Sequence, residues 1–333
     1  MDWFKKLTGF TEGAYPQVRA KLEVDGNHLR SRVNERSWVV GTLETPTLAE
    51  LRERARKAAG DLSGQLKVSI VSGDVRELHR SSASASALFQ VASQFNLLEM
   101  TGPEVSPERG VTIYEYDPTQ GPACAIAAGA ATIYRNYFAP VAGQAGQTRD
   151  RQIDCLRDIG VALGNESESL WAMRNGYALC TATGLEEIDR KLHALGPDGV
   201  GDLRDRLRIG LHWQVEVTDT VAPGHLVSQA FCSALPVRYT RVPPQHWRSF
   251  ATLVLEGAYE ATLWAAVLND HHHASRTVYL TRVGGGAFGN DAAWIDAAMR
   301  RALQRVDGIG LDVRIVSRHA PDAGLVRLAA EFT

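Results

Sequence analysis

The chain lacks a paired-cysteine signature. Cys124, Cys155, Cys180 and Cys232 stand far apart, mostly in apolar runs, which excludes a C-x-x-C metal pair and suggests no disulfide framework. It also lacks an excess of either charge. With 36 Lys and Arg against 38 Asp and Glu, there is no global positive field to neutralise nucleic-acid phosphates, so a nucleic-acid partner would need a local patch. No run reaches the ~18 apolar residues of a membrane span, and MDWFKKLTGF holds no apolar stretch of about 7–15 residues of a secretory signal. The expectation is a soluble, reduced, cytoplasmic protein with no membrane partner. Internal repeats and low-complexity tracts are likewise missing.

What is present is an alternation of short apolar strands and helices. The 333 residues suit one large α/β domain or two average ones. Residues 37–43 read as a strand, followed by a helix from Thr45 as N-cap and Pro46 to a stop at Gly60. Residues 66–72 and 87–95 read as two further strands, the second ending before Asn96. Residues 119–138 read as one buried, alanine-rich helix whose start, Thr119-Gln120-Gly121, offers an anion-accepting terminus. Residues 142–207 change character and read as an insertion with polar helices over 148–163 and 184–195. The alternation from Ile209 to Val217 marks a half-buried strand, with His212 on its exposed face. An apolar strand from Leu226, a long helix from Pro244, a strand 277–283, a helix capped by Asn290 or Asp291, and a last strand 311–317 complete the chain. This order predicts a three-layer α/β/α sandwich with a central mixed sheet and one antiparallel member. Residues 1–64 form a β-α extension packed on a core domain of 65–333.

The strand 277–283 runs into Gly284, Gly285, Gly286, Ala287, Phe288, Gly289 and Asn290. Such a loop, between a strand end and a helix start, suits close approach of a phosphate to backbone N–H groups. It matches G-x-G-x-x-G literally. A P-loop is excluded because Asn290 and Asp291 stand where G-K-[ST] is required, and a Rossmann turn because too little chain follows. A plain tight connection is the remaining alternative.

Taken in order, Gly73-Asp74-Val75 after an early strand, a strand leading to Asn96, a small-residue helix, and the glycine-aromatic-glycine loop resemble the macrodomain superfamily of ADP-ribose-binding modules. The resemblance covers about residues 65–140 and 208–318. It implies Asp74 on the adenine amino group with Val75 beside it, Asn96 towards the distal ribose, and Gly285 to Gly289 around the diphosphate with Phe288 over the ribose. Thr119, Gln120 and Gly121 would hold phosphate or ribose, or simply cap the helix. In place of the family's N-A-A-N and its glycine loop, this chain has LLEMTGPEVSPERGVTIYEYDPTQGP. The double glutamate of poly(ADP-ribose) glycohydrolases is absent.

That lengthened loop supplies Glu99, Glu115 and Asp117 as candidate general bases for water attack on an anomeric carbon. Asp117, next to the helix mouth, is preferred, with a turn role in Asp-Pro-Thr-Gln as its alternative. His271, His272 and His273 read as a solvated loop and not a metal site, and Tyr134 and Arg135 as packing residues. No metal or cofactor is indicated. The expected function is binding of ADP-ribose or an ADP-ribosylated substrate with hydrolysis of the ADP-ribosyl bond. The alternatives are a non-catalytic reader and a sugar-nucleotide or phosphate-ester enzyme.

Overall fold

The computed structural model describes residues 2–60, 63–220, 224–273 and 275–332. Its centre is a seven-stranded mixed sheet whose order is Thr42–Glu44, Gly210–Glu216, Leu226–Cys232, Leu88–Ala92, Thr277–Leu280, Asp312–Ser317, Lys67–Ser72. The 210–216 strand is antiparallel to both its neighbours, and the other pairs are parallel. The expected α/β class with one antiparallel member is therefore observed.

Strands 88–92 and 226–232 are apolar almost throughout because helices cover both of their faces. Two glutamines mark the faces. Gln90 donates to Thr262 Oγ1 at 2.9 Å on helix Arg248–His273, whereas Gln229 donates to the Cys124 carbonyl at 3.1 Å on helix Gln120–Ala127. Each buried amide thus finds a partner in a different layer, which is what burial of a polar group requires. The 248–273 helix is long and apolar enough to cross a membrane by length and composition, and it is buried as the core helix of its layer.

A second apolar core lies at the amino terminus. Helices Trp3–Thr8 and Tyr15–Ala20 and a small antiparallel sheet pack Phe4, Leu7, Val18, Leu29 and Trp38 against Leu98, Val111, Tyr114 and Tyr137. The lengthened loop therefore rests on the amino-terminal segment.

Several local expectations are corrected. The stretch 37–43 divides at Gly41 into Ser37–Val39, in the small sheet, and Thr42–Glu44, in the central one. The helix that follows runs Leu48–Ala59 and is capped by Thr47, not Thr45. Thr47 Oγ1 accepts from Glu50 N at 3.2 Å and the Glu50 carboxylate accepts from Thr47 N at 2.7 Å, a reciprocal capping box that outcompetes the earlier threonine. The strand 87–95 ends at Ala92. The helix 119–138 breaks at Ala128, where the loop at Thr218 takes over the hydrogen bonds of Ala127 O and Gly129 N. Of 148–163 only Arg157–Leu163 is helical, and the 184–195 helix spans Ala182–Asp205 with a break at Gly196 before Pro197. His271, His272 and His273 form the last turn of the 248–273 helix and not a loop. His212 is fully buried, because the amino-terminal segment and helix Gly129–Tyr137 cover the face of its strand that a bare alternation assigns to water.

Candidate active site

Strands 88–92, 277–280 and 312–317 are parallel, and the segments after their carboxyl ends open onto one cleft of about 570 Å³. Its wall includes Ser93 and Gln94, Arg282 and the glycine loop, and Ser317, Arg318 and His319. Open α/β sheets bind ligands at this edge, since strand ends and helix starts present unpaired backbone groups there.

The glycine loop forms one lip. Gly284, Gly286, Ala287 and Phe288 line the cleft. Gly284 is held at φ +78°, and a Cβ on it would lie 2.4 Å from Ala234 Cβ, so only glycine fits this turn. Asn290 is buried and braces the turn by donating to Leu235 O at 2.8 Å; it does not face the cleft. Gly289 packs against Arg238, and Gly285 also lies off the cleft wall. Among the described residues, the N–H groups of Gly286, Ala287 and Phe288 donate to no protein acceptor, which leaves three donors for an anion. Phe288 joins Tyr177 and Tyr239 in an aromatic cluster with ring centroids 5.1–5.5 Å apart.

Thr119, Gln120 and Gly121, at the start of helix 120–127, line the same cleft together with Asp117. Asp117 Oδ1 accepts from Thr119 N at 2.8 Å, so the expected turn is formed and one oxygen of the carboxylate is committed to it. Glu115 is exposed and does not line the cleft. Asn96 is fully buried, its amide donating to Gln152 Oε1 at 2.7 Å and its oxygen accepting from Leu98 N at 3.1 Å, so its polar groups hold the loop and are turned away from the cleft. Val75 is a core residue. Asp74 lies outside the lining and caps helix Val75–Arg80 through Arg76 N at 2.8 Å, with Arg318 of the cleft wall 4.0 Å from its carboxylate.

Glu99 is the anomalous group. Glu99 lines the cleft, is only 2% exposed and, among the described residues, accepts no hydrogen bond at either carboxyl oxygen. Arg135 Nη2 stands 3.7 Å from Oε1. That guanidinium is itself fully buried, with its Cζ over the Phe231 ring at 3.9 Å, and donates to Leu97 O and Thr132 Oγ1 at 3.1 and 3.0 Å. Burial pushes the Glu99 carboxyl up to about 8, Arg135 opposing and Asp117 adding to the rise. It therefore holds a proton at neutral pH. A buried carboxyl with unmet lone pairs beside a cleft is poised to meet something other than protein.

This shift has a consequence for stability. The folded-state value of about 8 lies above the ordinary 4.5, so the folded protein keeps a proton that the unfolded chain loses between those values. The stabilisation is complete below the unfolded value and is lost as pH rises through the folded one. Glu99→Gln, which cannot ionise, is expected to flatten the fall in stability from about pH 5 to 8.5, measured by urea unfolding. An unchanged slope would show that Glu99 titrates as an exposed carboxyl does.

Sequence reasoning missed Arg318, Ser317, His319, Arg282, Tyr177 and Tyr239 as cleft residues. The one available signal was position: Arg282, Ser317 and Arg318 follow or end parallel strands. Nothing local marked Tyr177, which reaches the cleft from a hairpin in the segment 142–207.

No family model matches the chain, and no curated protein does. Among solved structures it is similar to poly(ADP-ribose) glycohydrolase from Deinococcus radiodurans in complex with ADP-ribose, at 14% identity and TM-score 0.46, over 87% of this chain and 91% of that one. It is also similar to poly(ADP-ribose) glycohydrolase from Thermomonospora curvata bound to the inhibitor ADP-HPD, at 12% identity and TM-score 0.43, over 96% and 95%.

Proposed function

We propose that the protein binds ADP-ribose or a close derivative in this cleft and hydrolyses an ADP-ribosyl bond. The observation that carries the reading is Glu99, a buried, protonated carboxyl that accepts no hydrogen bond among the described residues, in the same cleft as a second carboxylate, Asp117. Glycosidic cleavage through an oxocarbenium-like state asks for such a pair. In the proposed step Glu99 gives its proton to the leaving-group oxygen as the bond to the anomeric carbon breaks. Water adds to that carbon and its proton passes to Asp117. The Glu99 carboxylate left behind is stabilised by Arg135 until it regains a proton from solvent. The free N–H groups of Gly286, Ala287 and Phe288, with Arg318 on the facing wall, supply the donors and positive charge that a diphosphate needs. The four cysteines are unpaired and buried, which supports a reducing compartment.

A second reading, a reader without chemistry, is favoured by the commitment of Asp117 Oδ1 to its turn. Calorimetry with ADP-ribose, ADP, AMP and NAD tests the ligand class for both. A Cβ on Gly286 would meet nothing within 4 Å, so Gly286→Val should fold normally and protrude into the cleft. It is expected to weaken ADP-ribose binding by about tenfold or more, roughly 1.4 kcal/mol. Unchanged affinity in the folded variant would remove the diphosphate from this loop.

A further inference from the structure

The two carboxyls of the cleft are held through a third that lies outside it. Glu12, in the amino-terminal segment, accepts from Val111 N at 2.8 Å and the Tyr137 hydroxyl at 2.8 Å through Oε1, and from Thr112 N at 2.7 Å through Oε2. Two successive N–H groups clasping one carboxylate make an anion nest, and the nest is shaped for it. Gly110 sits at φ +89°, and a Cβ there would come within 2.5 Å of the Glu12 carboxylate.

From this anchored point the chain turns through the 3-10 segment Thr112–Tyr116 directly into Asp117, whose N–H donates to Tyr114 O at 3.2 Å. Tyr114 is buried under the loop and its hydroxyl accepts from Glu99 N at 3.1 Å. One short turn thus connects the Glu12 nest to the backbone of both Glu99 and Asp117. We propose that Glu12 is a positioning residue of the acid site: seated in the nest at Val111 and Thr112, it fixes the turn that aims Asp117 and supports Glu99, so the amino-terminal segment completes the catalytic geometry. This rests on the hydrolase reading of the cleft.

Glu12→Gln keeps the size of the side chain but sets an amide NH2 against one of the nest's donors. Gly110→Ala crowds the same carboxylate from the other side. Both are expected to lower kcat by about 10- to 100-fold, the cost of a misaligned catalytic group, with ADP-ribose affinity held within about twofold. Val18→Ala, which loosens the apolar core of the same segment without altering a polar group, serves as the control and should lower the unfolding midpoint while kcat stays unchanged. The titration midpoint of the Glu99 carboxyl, followed by carbon-13 NMR, should move in Glu12→Gln and Gly110→Ala and stay in place in Val18→Ala. Equal losses of kcat in all three variants, or a Glu99 midpoint that none of them moves, would overturn the proposal. Should the wild type cleave no ADP-ribosyl bond, the hydrolase reading fails while the NMR comparison still decides whether Glu12 governs Glu99.

Discussion

Glu99→Gln is expected to slow hydrolysis of an ADP-ribosyl bond by about 10²- to 10⁴-fold, the usual contribution of a positioned acid or base, while ADP-ribose binds as well as before or better. The substitution keeps the shape of the side chain and its place beside Arg135 but removes the proton that the proposed step gives to the leaving group. Ground-state binding has no use for that proton, so kcat should fall and the dissociation constant should not rise. Single-turnover assays with an ADP-ribosylated substrate, paired with calorimetry, separate the two. A variant that loses affinity in proportion to activity would make Glu99 a binding group, and one with full activity would remove it from the reaction.

The second large effect concerns the charge beneath it. Arg135→Leu removes a fully buried guanidinium that bonds Leu97 O and Thr132 Oγ1 and faces Glu99, leaving those acceptors unmet. Breaking one side of a buried ionic contact costs about 3–5 kcal/mol, and the lower end is expected because Glu99 can stay protonated. The sign on Glu99 follows from the same contact. Arg135 is the influence that opposes the rise of the carboxyl, so its loss should raise the midpoint above about 8 and move the alkaline limb of any activity profile upward. Urea unfolding with a pH-rate profile checks both. A stable variant with an unmoved limb would show that the contact between Arg135 and Glu99 has no part in the site.

Much of the architecture was legible because strand and helix periods differ and glycine marks the turns between them. The glycine loop stands where the sequence places it, at the end of a parallel strand and ahead of a capped helix. The start of helix 120–127 lines the same cleft. What failed was mostly long-range. His212 alternates as a water-facing residue does, yet a segment some 170–200 positions earlier in the chain covers it, and no local pattern announces such a partner. Asn96 and Asn290 look like ligand residues by type and place, but Asn96 spends both ends of its amide on Gln152 and Leu98, and the Asn290 amide nitrogen is spent on the Leu235 carbonyl. Glu99 and Asp117 were distinguishable only by environment. Asp117 is drawn into its own turn, while Glu99 is desolvated by a core formed partly from the first 40 residues. The Thr47 cap is a different kind of miss, since its T-x-x-E signature was present in the sequence beside the one chosen.

The most direct test of the central claim is chromatographic detection of free ADP-ribose after wild-type protein is incubated with ADP-ribosylated protein, ADP-ribosylated nucleic acid and O-acetyl-ADP-ribose. Release from at least one of these by the wild type is expected, with its near-complete loss in Glu99→Gln. No release from any of them, by a protein that binds ADP-ribose, would contradict the hydrolase and leave the reader.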